Sequence, residues 1–162
     1  MTMNLSCELI KVLRGKTLVT AESCTGGGIG AALTDVPGSS AVYKGGIICY
    51  TNEVKIHQLG VDSEILLKNG AVSGEVACQL AAGAKDRLNS DIAVSVTGLA
   101  GPGGDEYGNP VGTVYIGYSD ELCTISKKYH FQGCRDQVRK QAIDAALSLV
   151  IEQCTTMSKE DK

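Results

Sequence analysis

Short β-branched runs alternate along this chain with segments of helical period, and the alternation restricts it to a layered α/β fold. Thr17 to Thr20 reads as a short buried strand, and Ile92 to Thr97 as another. Ala41 to Tyr50 reads as a strand with a bend or close backbone approach at Gly45-Gly46. Leu5, Leu9, Val12 and Leu13 mark a helical face that Gly15 ends. Ile29, Ala32 and Leu33 mark a helix starting near Gly26, and Thr51 to Leu59 and Ser63 to Lys68 also read as helical. Val76, Leu80 and Ala84 share a face within Gly74 to Leu88. Val111 to Tyr118 and Leu122 to Phe131 read as a hairpin joined at Ser119-Asp120-Glu121. Arg135 to Gln153 is the longest expected helix, with Val138, Ala142, Ala145 and Leu149 as its buried stripe. The expected architecture is a three-layer α/β/α sandwich around a mixed, mostly parallel sheet.

The 162 residues suit one domain, expected over 1–154, with 155–162 as a polar flexible tail. Fifteen basic against eighteen acidic residues leave a net charge of -3. That balance offers no broad cationic surface, so neither nucleic acid nor a membrane is an expected partner. Seven scattered cysteines contain no Cys-x-x-Cys pair, which argues against a zinc ribbon or a disulfide framework. Reduced thiols, no apparent signal peptide and no apolar run near ~20 residues give a cytoplasmic expectation.

Chemistry is concentrated where strands end. In Thr20-Ala21-Glu22-Ser23-Cys24-Thr25-Gly26-Gly27-Gly28 a buried strand ends, a short polar turn follows and a glycine-rich helix begins. Ser23 is thereby placed where open α/β sheets bind ligands, beside the free N–H groups of a helix N-terminus. Such groups stabilise an oxyanion or an anionic ligand; alternatively Ser23 or Thr25 only caps the helix. No Walker loop and no Gly-x-Ser-x-Gly elbow occurs, and Gly26-x-Gly28-x-x-Ala31 lacks the context of a dinucleotide fingerprint. A serine nucleophile needs a base. His57 and His130 sit in no triad pattern, whereas Lys55 follows Tyr50, which ends a strand at the same sheet edge. Lys55 is either that base or a solvated helix residue. Cys24 is a rival nucleophile, because a helix N-terminus lowers a thiol's pKa. The glycine-rich run Gly98 to Gly104 is either a floppy connection or a shaped backbone cradle, and Asp105 to Asn109 reads as an exposed excursion. Arg135 and Arg139 share a face of the last helix, fit for a phosphate or for surface acids.

Six stretches in this order, spanning nearly the whole chain, resemble the CinA C-terminal domain family of competence/damage-inducible proteins. They are Thr20-Ala-Glu-Ser-Cys-Thr-Gly-Gly27, Pro37-Gly-Ser-Ser40, Tyr50-Thr-Asn-Glu-Val-Lys55, Gly70-Ala-Val-Ser73, Thr97-Gly-Leu-Ala-Gly-Pro102 and Pro110-Val-Gly-Thr-Val114. The N-terminal domain of longer members is not expected in this chain. Stand-alone members are nicotinamide-nucleotide amidohydrolases. The resemblance implies hydrolysis of nicotinamide mononucleotide (NMN) to nicotinate mononucleotide and ammonia, in pyridine nucleotide recycling. It implies a Ser–Lys mechanism with an assisting tyrosine, which fall on Ser23, Lys55 and Tyr50, and no metal or organic cofactor. Backbone N–H groups over Thr25, Gly26 and Gly27 are the expected oxyanion donors. Gly98, Gly101, Arg135 and Arg139 are the candidates for the substrate phosphate. A homo-oligomer is also implied. The competing reading is a catalytically silent nucleotide-binding or competence-associated partner module, which burial of Ser23 away from any cavity would favour.

Overall fold

A computed structural model describes residues 1–160, with side chains through Thr156. Five strands form one open sheet in the order β2-β1-β3-β4-β5. They are β1 (Leu18–Glu22), β2 (Tyr43–Ile48), β3 (Ile92–Gly98), β4 (Thr113–Ser119) and β5 (Thr124–His130). β1 pairs in parallel with β2 and β3, while β3–β4 and β4–β5 are antiparallel. Four of the five strands therefore point one way, with β4 reversed by the hairpin that the Ser119-Asp120-Glu121 turn predicts.

The helices are α1 (Thr2–Val12), α2 (Gly28–Thr34), α3 (Asn52–Leu59), α4 (Ser63–Asn69), α5 (Gly74–Arg87) and α6 (Arg135–Glu160). Strand side chains alternate between faces, and the core divides accordingly. Leu18, Ile92, Val94, Val96 and Ile116 pack with Leu9, Ile29, Leu33, Ala142 and Leu149 of α1, α2 and α6. Val19, Ala21 and Ala93 pack with Leu59, Leu66, Val76 and Leu80 of α3, α4 and α5. This is the expected three-layer sandwich.

Several boundaries differ from expectation: β1 runs on past Thr20 to Glu22, and β4 and β5 are each shifted or trimmed by one or two residues at their ends. Helix α6 continues past Gln153 to Glu160, because no glycine or proline interrupts the run. The polar tail expected over 155–162 thus lies partly in helix, and residues 161–162 lie outside the described residues. β2 is narrower than Ala41 to Tyr50, because Ser39–Ala41 forms a 3-10 turn before it. Gly46 is the close backbone approach expected in that strand: a Cβ there would lie 2.1 Å from Thr20 Oγ1 and 3.0 Å from the Thr20 carbonyl oxygen. Among the described residues no helix is long and apolar enough to cross a membrane.

Candidate active site

The parallel strands β2, β1 and β3 bring their C-terminal ends together, and the loop before the reversed β4 joins them there. Ser23 is the first residue beyond β1. Its N–H donates to Val96 of β3 at 3.0 Å, and the Cys49 N–H beyond β2 donates to Glu22 at 2.9 Å. The backbone ladder thus runs on past the strands and fixes Ser23 and Cys49 side by side. α3 starts immediately after, with Thr51 capping the Val54 N–H.

From the first turn of α3, Lys55 turns inward. It is 1% exposed, one of the largest fully buried side chains. Its Nζ lies 3.2 Å from Ser23 Oγ, 2.7 Å from the Cys49 carbonyl and 3.1 Å from the Tyr50 carbonyl. No carboxylate is among these partners. Burial pushes the Lys55 pKa below its ordinary value, against a smaller opposing influence of the Cys49 and Cys24 thiols. The alternative of a solvated Lys55 is thereby excluded.

Ser23 is 7% exposed and lines a cavity of about 280 Å³ with Lys55, Tyr50, Asn52, Gly98 and Arg135. Small-molecule sites begin near this size, at ~300 Å³. Asn52 and the Ala71-Val72 turn, which also line it, carried no role in the sequence reading. The loop after β3 is shaped rather than floppy: the Leu99 N–H donates to the Thr113 carbonyl at 2.9 Å, and the Gly112 N–H to the Leu99 carbonyl at 2.8 Å. Asp105 Oδ1 accepts from the Tyr107 and Asn109 N–H groups, and Asn109 Nδ2 reaches back to the Val72 carbonyl at 3.2 Å.

Other expected site residues are placed differently. The Tyr50 side chain is 60% exposed, and its hydroxyl accepts from Arg135 Nη2 at 3.3 Å. Tyr50 therefore meets Lys55 through its carbonyl and not through its phenol. Arg135 also donates to the Gly101 carbonyl at 2.7 Å, so it spans the cavity mouth. Arg139 does not line the cavity: its Nε donates to the Cys24 carbonyl at 3.0 Å and its Nη2 to the Thr25 carbonyl at 3.1 Å. The fully buried Thr25 side chain donates to Glu22 at 2.7 Å. Gly26 and Gly27 do not line the cavity, and the Gly26 N–H is taken by the Ser23 carbonyl at 3.1 Å. Both glycines have left-handed backbone, with φ of 59° and 100°. His57 and His130 are exposed.

Glu22 explains why the expected anion site at the α2 N-terminus is occupied. Its carboxylate is 2% exposed and accepts from the Ile29 N–H at 2.7 Å and the Gly30 N–H at 3.1 Å. The helix end is therefore capped by the preceding strand. An acid in the short turn between a buried β-branched run and a helix start was the signal for this. Cys24 does not have the lowered pKa of a reactive thiol; burial pushes it up to about 11. Among the described residues no group of three His, Cys, Asp or Glu side chains is placed to hold a metal ion.

The fold and site define an α/β sandwich domain with a buried serine–lysine pair at the carboxyl edge of its parallel strands. The chain belongs to the CinA C-terminal domain family, whose model matches residues 3–154. A putative competence-damage inducible protein of Halothermothrix orenii is 51% identical over 137 residues, which cover 82% of this chain and 33% of that protein. A CinA-like protein of Thermosynechococcus vestitus is 50% identical over 143 residues, 86% of this chain and 34% of that protein. The chain thus spans about a third of the length of these relatives. The crystal structure of a CinA superfamily protein from Klebsiella pneumoniae matches with a TM-score of 0.93 at 32% identity, covering 96% of this chain and 99% of that one. A competence/damage inducible protein from Agrobacterium tumefaciens matches with a TM-score of 0.90 at 38% identity, covering 93% and 94%.

Proposed function

We propose that this domain is an amidohydrolase that converts NMN to nicotinate mononucleotide and ammonia, with Ser23 as nucleophile and Lys55 as its base. The observation that carries the reading is the 3.2 Å approach of the buried Lys55 Nζ to Ser23 Oγ. A neutral amine has two N–H donors and one lone pair. With its donors on the Cys49 and Tyr50 carbonyls, the lone pair is left for the Ser23 hydroxyl. Lys55 takes the proton as Ser23 Oγ attacks the carboxamide carbon. The tetrahedral intermediate collapses, the C–N bond breaks, and Lys55 returns the proton to the leaving ammonia. Water, deprotonated by the same amine, then hydrolyses the acyl-enzyme, giving the carboxylate and free Ser23.

Lys55 contacts Ser23 directly, so no relay through the Tyr50 hydroxyl is needed. Arg135 at the mouth is the better phosphate candidate, since a bound phosphate would replace its Tyr50 contact. The placement of Ser23 on a cavity supports this reading over a silent binding module. The substrate is a small molecule, and a homo-oligomer in the cytoplasm is the expected setting. Purified protein should release ammonia and nicotinate mononucleotide in equal amounts. Ser23→Ala should lose at least about 10³-fold in kcat with its Tm retained. Unchanged turnover by a folded Ser23→Ala protein would remove Ser23 as nucleophile.

A further inference from the structure

Two charged side chains grip the turn after Ser23 from outside the cavity, and the peptide between Cys24 and Thr25 lies between them. Arg139 holds the carbonyl of this peptide at 3.0 Å and the next carbonyl, that of Thr25, at 3.1 Å. Glu22 holds the Thr25 hydroxyl at 2.7 Å, and the same oxygen accepts the Ile29 N–H of α2. In a trans peptide the N–H runs antiparallel to the carbonyl. A Cys24 carbonyl pulled onto Arg139 therefore turns the Thr25 N–H away from Arg139. Several neighbouring donors are committed, the Ser23 N–H to Val96, the Gly26 N–H to Ser23, the Gly28 N–H to Thr25, and the Ile29 and Gly30 N–H groups to Glu22, whereas the Thr25 N–H has no such partner among the described residues.

We propose that Arg139 is a positioning residue for the nucleophile turn: with Glu22 as its counterpart, it fixes the Thr25 peptide so that the Thr25 N–H serves as an oxyanion donor beside Ser23. The proposal rests on the serine-nucleophile reading and deepens it. Arg139 thus moves from the phosphate to the chemical step. A group that orients an oxyanion donor acts on the transition state and leaves substrate binding alone, so its loss lowers kcat and spares KM. A phosphate ligand would do the reverse.

The test uses Arg139→Ala and Arg139→Lys, each checked for folding by its Tm. Two readouts are taken: NMN hydrolysis, and the rate at which a fluorophosphonate probe labels Ser23. The probe forms a tetrahedral adduct without needing NMN as substrate. Arg139→Ala should lose about 10²-fold in kcat and in labelling rate, with KM changed less than about threefold. Guanidinium chloride should restore part of both rates, while sodium chloride at equal ionic strength should not. Arg139→Lys, which keeps the charge but not the two-pronged donor, should fall between wild type and Arg139→Ala. If Arg139→Ala does not fold, Arg139→Lys decides by the same two readouts. A raised KM with unchanged kcat and labelling would overturn the proposal and return Arg139 to the phosphate, and unchanged kinetics would overturn it outright. Labelling of wild type without NMN hydrolysis would sink the substrate reading alone. An unlabelled, inactive wild type would sink both the nucleophile and its positioning.

Discussion

Lys55 is a cation's side chain held where a cation is costly. Its burial offers three polar contacts and no counter-charge, so the neutral form is favoured relative to water. Catalysis by neutral Lys55 makes kcat/KM rise with pH and level off above the depressed folded value. The stability sign follows from the same shift. Between that folded value and the ordinary 10.5, the unfolded chain holds a proton that the folded chain has released. Stability therefore rises as pH rises through this window, and the contribution is lost as pH falls through it. Chemical denaturation at a series of pH values checks this, with Lys55→Met expected to flatten the slope there. Tyr50→Phe separates phenol from backbone. It removes the hydroxyl that accepts from Arg135 but keeps the carbonyl that holds Lys55. It should lower kcat less than about tenfold, where Ser23→Ala loses nearly all of it. A loss in Tyr50→Phe as deep as in Ser23→Ala would restore the phenol to the proton path.

At the scale of elements, α2 and β2 are locked together by what their glycines leave out. A Cβ at Gly30 would lie 2.5 Å from the Tyr43 hydroxyl, and one at Gly46 would lie 2.8 Å from it. The Tyr43 hydroxyl in turn contacts Thr20 Oγ1 at 2.9 Å, beneath the turn that carries Ser23. Gly30→Ala should therefore cost about 1–3 kcal/mol in denaturant unfolding. In a Tyr43→Phe background the obstructing oxygen is gone, and the cost of Gly30→Ala should shrink. Additive costs would mean the hydroxyl is not the obstruction. The sequence made this site legible in part. Strand ends, helix starts and the Tyr50-to-Lys55 spacing put Ser23 and Lys55 at one sheet edge, because those placements follow from local period. The direction of a side chain does not. Arg139 and Arg135 share a helix face, yet one reaches behind the serine turn and the other across the cavity mouth. Glu22 was signalled only as an acid ahead of a helix start; that it accepts from the Ile29 and Gly30 N–H groups depends on packing that no local pattern encodes.

The whole molecule places apolar clusters on both faces of a single sheet, and strand residues such as Leu18 and Val19 contribute to opposite clusters. Neither face can lose its helices without exposing the other strands' core residues. Unfolding should therefore be one cooperative transition, with coincident near-UV and far-UV signals. Two separated transitions would show that the α3–α5 layer is an independent unit. The alternation of strands and helices made this layering readable from the start, whereas the extent of α6 beyond Gln153 was not, since its polar end gives no apolar period. The layering also leaves all the proposed machinery at one edge of the sheet, on β1, β2, α3 and the first turns of α6. The central claim is that a lysine-activated serine there hydrolyses an amide. Ammonia release from NMN by the wild type, with folded Lys55→Ala in parallel, tests it most directly. The wild type should release ammonia, and the variant should lose nearly all of that release. Release that survives in Lys55→Ala, or none from a wild type that NMN nonetheless stabilises, would contradict the claim.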